Sequence, residues 1–158
     1  MSLDEVILHV IQDIKSNQIG ERVSVIYDSR AGKEGEFVIE ADKLRLTQVI
    51  SNILGNAIRF TNEGTITINI DRKAITSSSN NSSPQKGVII SIKDTGTGID
   101  SQIFSRLFSK FATKSEKGTG LGLFISKSIV EAHGGKIWAE NNADGIGATF
   151  AFSLPLSS

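Results

Sequence analysis

Three groups of residues in this chain of 158 have types and spacings that could do chemistry. Asp94-Thr95-Gly96-Thr97-Gly98-Ile99-Asp100 follows directly on an apolar run ending at Lys93. Its glycines let the backbone turn sharply and approach a flat ligand closely. An aspartate held at a strand end can accept a hydrogen bond from an exocyclic amine such as that of adenine. A tight turn, with Asp100 capping the next helix, is the other reading of the same residues. Gly118-Thr119-Gly120-Leu121-Gly122-Leu123 opens a helical pattern. Free N–H groups and the positive helix end would both face an anion there, which suits a phosphate. No Lys-Ser/Thr follows the last glycine and no strand precedes the first, so neither the Walker A loop nor the dinucleotide fingerprint fits. A linker running into a helix start remains the plainer reading.

Asn52 and Asn56 lie four apart within a long helical pattern and so share a face. Asparagine is a poor helix former. An oxygen-only ligand aimed at a phosphate-bound Mg²⁺ would explain its presence, since that cation takes few protein oxygens beside phosphates and waters. Arg59 and Phe60, one turn onward, could add a phosphate contact and a flat surface. The alternative is a polar helix face, against which Leu54, Ala57 and Ile58 argue for burial.

The elements that must position these groups can be read from periodicity. Leu3, Val6, Ile7, Val10, Ile11 and Ile14 predict an amphipathic first helix. Val23, Val25 and Tyr27 alternate, as do Phe37 and Ile39, predicting two strands joined through the turn-rich 29–35. Asp42 is a candidate N-cap for a helix over Lys43–Phe60, with the stripe Leu46, Val49, Ile50, Ile53, Leu54, Ala57 and Ile58. Strands are expected over 65–70, 88–93, 136–140 and 148–154, and a helix from about Gly120 to His133, stopped by Gly134-Gly135. The Ser/Asn-rich segment 77–85 interrupts two strands that look like neighbours and marks no domain boundary. Three helices and one-sided alternation in most strands predict an α+β fold. It is a two-layer α/β sandwich with a mixed sheet of about five strands covered on one face.

Composition narrows the function classes. There are 17 basic and 17 acidic residues, so no strongly basic footprint for nucleic acid. With no cysteine there is neither a disulfide framework nor a Cys-based zinc site. No apolar stretch is long enough to span a bilayer, and no signal peptide is visible. Of the 15 glycines, nine fall between Asp94 and Gly147. The segment Arg106–Lys136 holds six basic residues against two acidic ones, a balance that suits a bound polyphosphate or simply a solvated face.

The order of the motifs is more specific than any one of them. Asn-x-x-x-Asn-Ala-x-Arg-Phe, Asp-Thr-Gly-Thr-Gly-Ile, Phe-Ser-Arg-Leu-Phe-Ser-Lys-Phe and Gly-Thr-Gly-Leu-Gly-Leu occur in that sequence. The series resembles the N, G1, F and G2 boxes of the sensor histidine kinase ATP-binding domain, of the superfamily that also holds gyrase, a heat-shock chaperone and MutL. The ending, Gly134-Gly135-Lys136-Ile137-Trp138-Ala139-Glu140-Asn141 through Leu154-Pro155, resembles that family as well.

The resemblance implies a Bergerat-type fold over 1–158, as one catalytic and ATP-binding domain from a longer sensor kinase, with ATP and Mg²⁺ as cofactors. Asn56 matches the metal-ligating asparagine. Asn52 matches the position where hydrolytic relatives carry a catalytic glutamate, and an amide there cannot act as a general base. Arg59 and Phe60 take the place of the basic–aromatic pair beside phosphates and adenine. Asp94 matches the adenine-reading aspartate, with Gly96, Gly98 and Ile99 forming the floor and Thr149 close to the same water network. Phe104, Phe108 and Phe111 fall in the F box at the root of a lid over about 109–118. Gly118, Thr119, Gly120, Leu121 and Gly122 would wrap the phosphates, with Lys114 and Lys117 as candidate contacts.

The family's phospho-accepting histidine is not matched. His9 precedes Val10 in an ordinary amphipathic helix, and His133 sits at a helix end, where a cation suits the dipole. The implied activity is transfer of the γ-phosphoryl group to a histidine on a separate dimerisation domain of the same parent, with a response regulator receiver domain downstream. The expected location is cytoplasmic, whether or not the parent is membrane-anchored. No nucleic acid, no direct membrane contact and a monomeric isolated domain are expected. The alternatives are a free-standing protein-serine kinase of the anti-sigma factor type and a non-catalytic nucleotide-gated interaction module.

Overall fold

The computed structural model describes residues 1–17, 22–28, 37–75, 84–110 and 121–156. The apolar stripe of the first helix, α1 (Leu3–Asn17), is buried from Leu3 to Ile14. Beyond it come β1 (Val23–Asp28), α2 (Lys43–Phe60), β2 (Gly64–Ile75) and β3 (Gln85–Asp94). A short 3-10 turn (Phe104–Arg106), α3 (Gly122–Ala132), β4 (Ile137–Asn141) and β5 (Ala148–Pro155) complete the order.

The five strands form one mixed sheet in the order β1-β2-β3-β5-β4, with β1 and β2 parallel and every other pair antiparallel. Alternation decides its faces. Ile66, Ile68 and Ile70, Val88, Ile90 and Ile92, and Phe150, Phe152 and Leu154 are buried in the same core as the helix stripes. On the opposite face Ile26 and Trp138 are exposed, so the helices cover one side only, as the α+β sandwich reading requires. β2 and β3 are indeed neighbours, paired up to Ile75 with Gln85. Residues 76–83, most of the Ser/Asn-rich segment, lie outside the described residues.

One expected strand is corrected. Residues 37–39 do not return along β1, whose described partner is β2 from Val23 with Gly64 to Asp28 with Asn69. They meet the N-terminus instead, through an isolated antiparallel bridge between Ser2 and Val38, with Leu3 N–H donating to Phe37 O at 3.0 Å. Burial of Phe37 and Ile39 explains the alternation, and the Arg72 guanidinium 4.8 Å from the Phe37 ring centroid covers it.

α2 and α3 run antiparallel and are tied at both ends of α3. Asp42 caps α2, its Oδ1 accepting from Leu44 N (3.0 Å) and Arg45 N (3.2 Å). The Asp42 N–H donates to His133 Nε2 at 3.1 Å, while His133 Nδ1 lies 2.8 Å from Ile129 O. Both ring nitrogens are thus engaged at the end of α3, which fits a structural role for His133 at the helix terminus. Just beyond, Gly134 (φ 84°) and Gly135 close α3 with Gly134 N–H to Glu131 O and Gly135 N–H to Val130 O, a Schellman stop. His9 is exposed on α1. No described helix is long and apolar enough to cross a membrane.

Candidate nucleotide-binding site

β3 delivers Asp94 as its last residue, in register with Ile66 at the start of the β2 core row. The side chain is 3 % exposed. Its Oδ1 accepts from Gly96 N (2.9 Å) and Ala148 N (3.2 Å), and neither bond uses Oδ2. Burial pushes the carboxyl above its ordinary value, and the two N–H donors pull it part of the way back. A buried carboxylate held on one oxygen, with the other left to accept, is a fixed reader for a donor group.

The turn after Asp94 docks on the C-terminal end of α2. Thr97 N–H donates to Phe60 O at 3.2 Å, and a Cβ on Gly96 would lie 2.2 Å from that same carbonyl. Only glycine lets the turn sit there. Ile99 is clasped by Asn141, whose Oδ1 accepts from Ile99 N (2.7 Å) and whose Nδ2 donates to Ile99 O (3.2 Å). Asp100 opens the next turn, its Oδ1 accepting from Gln102 N at 2.8 Å, so the capping reading of that residue is present alongside the site.

α2 contributes the residues predicted from it. Asn52 is half-buried and its Nδ2 donates to Gly122 O (3.2 Å) and Ser126 Oγ (3.4 Å), at the start of α3. One turn on, Asn56 Oδ1 accepts from the Arg59 guanidinium. The same guanidinium lies 5.4 Å from the Phe60 ring centroid, and Phe60 is exposed. Asn56, Arg59 and Phe60 therefore form one contiguous patch beside the Gly96 turn.

Among the described residues, no group of three His, Cys, Asp or Glu could hold a metal. A lone neutral amide oxygen on Asn56 fits a cation only if phosphates and waters complete its shell, which is the habit of Mg²⁺ and not of zinc or calcium.

In the F-box region Phe108 meets Phe150 edge-on, ring centroids 6.5 Å apart, and Phe104 is exposed. Lys110 Nζ stands 5.1 Å from the Phe124 ring centroid. Leu121 and Gly122 flank the start of α3, which begins at Gly122. Phe111, Lys114, Lys117, Gly118, Thr119 and Gly120 lie outside the described residues. Thr149 sits near Asp94 without touching it. Its hydroxyl donates to Asn142 Oδ1 at 2.6 Å, and it is the preceding residue, Ala148, whose N–H reaches the Asp94 carboxylate.

Asn142 is the residue that motif reasoning missed. Buried in the turn between β4 and β5, its Nδ2 donates to Asp94 O (2.9 Å) and Ile146 O (2.7 Å). Gly147, at φ 76°, completes the seat, for a Cβ there would stand 2.1 Å from Asp94 O. The only signal in the sequence was a polar Asn-Asn pair ahead of Gly-x-Gly, which reads as an ordinary turn.

Comparison with known proteins gives the family. The sequence profile described as histidine kinase-, DNA gyrase B-, and HSP90-like ATPase matches residues 41–158. The sensor protein FixL of Bradyrhizobium diazoefficiens is 36% identical over 121 residues, covering 77% of this chain and 22% of FixL. The chain thus spans under a quarter of that relative's length. Among solved structures, the nucleotide-free catalytic domain of histidine kinase ThkA aligns with TM-score 0.78 at 30% identity, over 98% of this chain and 93% of that one. Full-length ShkA in complex with AMPPNP aligns with TM-score 0.78 at 25% identity, over 100% of this chain and 31% of ShkA. From α2 to the C-terminus the profile takes in every box described above, and the chain belongs to the histidine kinase-, DNA gyrase B- and HSP90-like ATPase family.

Proposed function

We propose that this chain is the catalytic and ATP-binding domain of a longer sensor kinase, and that it binds Mg·ATP and donates the γ-phosphoryl group to a histidine on a separate dimerisation domain. The observation that carries the reading is Asp94. A buried carboxylate fixed through Oδ1 at a glycine turn is suited to accept the adenine amine on Oδ2. Arg59 and the first-turn N–H groups of α3 supply positive charge for the phosphates. Phe60 offers an exposed flat surface beside them.

Asn56 would hold Mg²⁺, which when bound neutralises phosphate charge. The Asn56 oxygen now accepts from Arg59, so Arg59 must turn from Asn56 toward the phosphates for both groups to serve. Phosphoryl transfer asks mainly for positioning and charge stabilisation from the protein. The acceptor imidazole nitrogen forms the new P–N bond as the bond to the ADP oxygen breaks. Neither His9, exposed on α1, nor His133, with both ring nitrogens engaged, is assigned as that acceptor. A receiver domain downstream, a cytoplasmic setting and a monomeric isolated domain belong to the same reading.

The test adds γ-labelled ATP and a purified dimerisation domain of a sensor kinase to this chain. Acid-labile phosphate on the histidine domain, lost with Asp94→Asn, is the expected result. Acid-stable phosphate on a serine protein, or nucleotide binding with no transfer to any histidine domain, would overturn it.

A further inference from the structure

Asn52 faces away from acid–base chemistry. Its amide nitrogen is engaged by two acceptors in the first two turns of α3, Gly122 O at 3.2 Å and Ser126 Oγ at 3.4 Å. Ser126 is fully buried, so this contact lies inside the α2–α3 seam and not on an open surface. A Cβ on Gly122 would stand 3.6 Å from Asn52 Cγ, an ordinary contact, so the glycine is not required for the amide to fit. The hydrogen bonds are therefore what the pair adds to close packing.

Asn56, one helical turn along α2, carries the oxygen assigned to the cation. A single rigid helix thus holds both the start of α3 and the metal-facing amide. We infer that Asn52 is a positioning residue, which fixes the phosphate-facing start of α3 against the helix that carries Asn56 and Arg59. The inference rests on the ATP reading and deepens it. Asn52 touches no reacting atom. It sets the separation between the two groups that meet the phosphates, and it has no part in recognising the base, which belongs to Asp94 on the other side of the α2 terminus.

That division gives a readout which a purely structural role would not move. Adenosine meets the Asp94 end alone, whereas ATP also needs the α3 end. Binding of ATP with Mg²⁺ and of adenosine is measured by calorimetry for the wild-type chain, Asn52→Ala and Asn52→Leu. The leucine variant keeps side-chain volume without a donor, so it serves if the alanine variant folds poorly. Loss of the hydrogen-bonded contact is expected to lower ATP affinity by about tenfold and to leave adenosine affinity within about twofold. Equal losses for both ligands, or wild-type affinity for both, would overturn the inference. A wild-type chain that binds adenosine but not ATP, or neither, would instead sink the ATP reading on which it rests.

Discussion

The side-chain amide of Asn142 donates to the main-chain carbonyl of Asp94 across 2.9 Å, joining the β4–β5 turn to the end of β3. The same nitrogen reaches Ile146 O, and the amide oxygen accepts from Thr149. One buried asparagine thereby satisfies three polar groups around Asp94. Truncation leaves two carbonyls and a hydroxyl short of a partner, each of which costs when water cannot replace it.

Asn142→Ala is accordingly expected to destabilise the nucleotide-free chain by about 2–3 kcal/mol. It should weaken adenosine binding as well, because Asp94 loses its seat. Urea unfolding and adenosine titration measure the two effects. An Asn142→Ala chain as stable as wild type would show that the turn is held by something else.

Gly145 and Gly147 allow backbone strain and close contact to be separated. Both take positive φ, 80° and 76°, but a Cβ on Gly145 meets nothing within 4 Å whereas one on Gly147 would collide with Asp94 O. Gly145→Ala should cost about 1 kcal/mol for the left-handed conformation alone. Gly147→Ala should cost at least about 3 kcal/mol, because the clash adds to the same strain. Similar melting temperatures for the two variants would contradict the close approach.

Asp94 sets a pH dependence whose sign can be worked out. Its carboxyl lies above the ordinary value in the folded chain, mainly through burial. The native state then keeps a proton that the unfolded chain has already released. Stability from this group is fully present below the unfolded pKa and is lost as pH rises through the native one. Asp94→Asn does not titrate, so the nucleotide-free wild type should lose stability relative to that variant as pH rises through this window. Affinity for ATP runs the other way, falling as acid protonates the acceptor. Urea midpoints for the pair across the acidic range give the comparison, and a difference that stays flat with pH would count against the assignment.

Arg59 serves two partners, Asn56 and the face of Phe60. Arg59→Ala removes the charge for the phosphates while sparing the Asp94 end. It should weaken ATP by about tenfold, within the range for charge-assisted hydrogen bonds, with adenosine little changed. Equal binding of ATP by this variant and wild type would remove Arg59 from the phosphate site.

Much of this arrangement was legible because periodic burial leaves a periodic sequence. α2 runs from Lys43 to Phe60 as its stripe and its Asp42 cap indicated. The ladder between β2 and β3 was read too short. Its outer part runs through three charged residues, Asp71 to Lys73, and backbone pairing continues past them to Ile75 without an alternating apolar face to announce it. Phe37 and Ile39 misled for the opposite reason, since two alternating apolar residues describe burial and not a partner. Asp94, Asn56 and the glycines stood out through their spacing, whereas Asn142 did not. Its role comes from a turn folding back across 48 residues, and no local pattern encodes that contact.

The most direct test is calorimetric titration of the wild-type chain and Asp94→Asn with ATP in Mg²⁺ buffer, both checked for folding by thermal melts. One saturable ATP site is expected in the wild type, and its loss in a variant that melts no lower without nucleotide, because the amide meets the adenine amine donor to donor. An Asp94→Asn chain that binds ATP as tightly as wild type, or a folded wild-type chain that binds none, would contradict it.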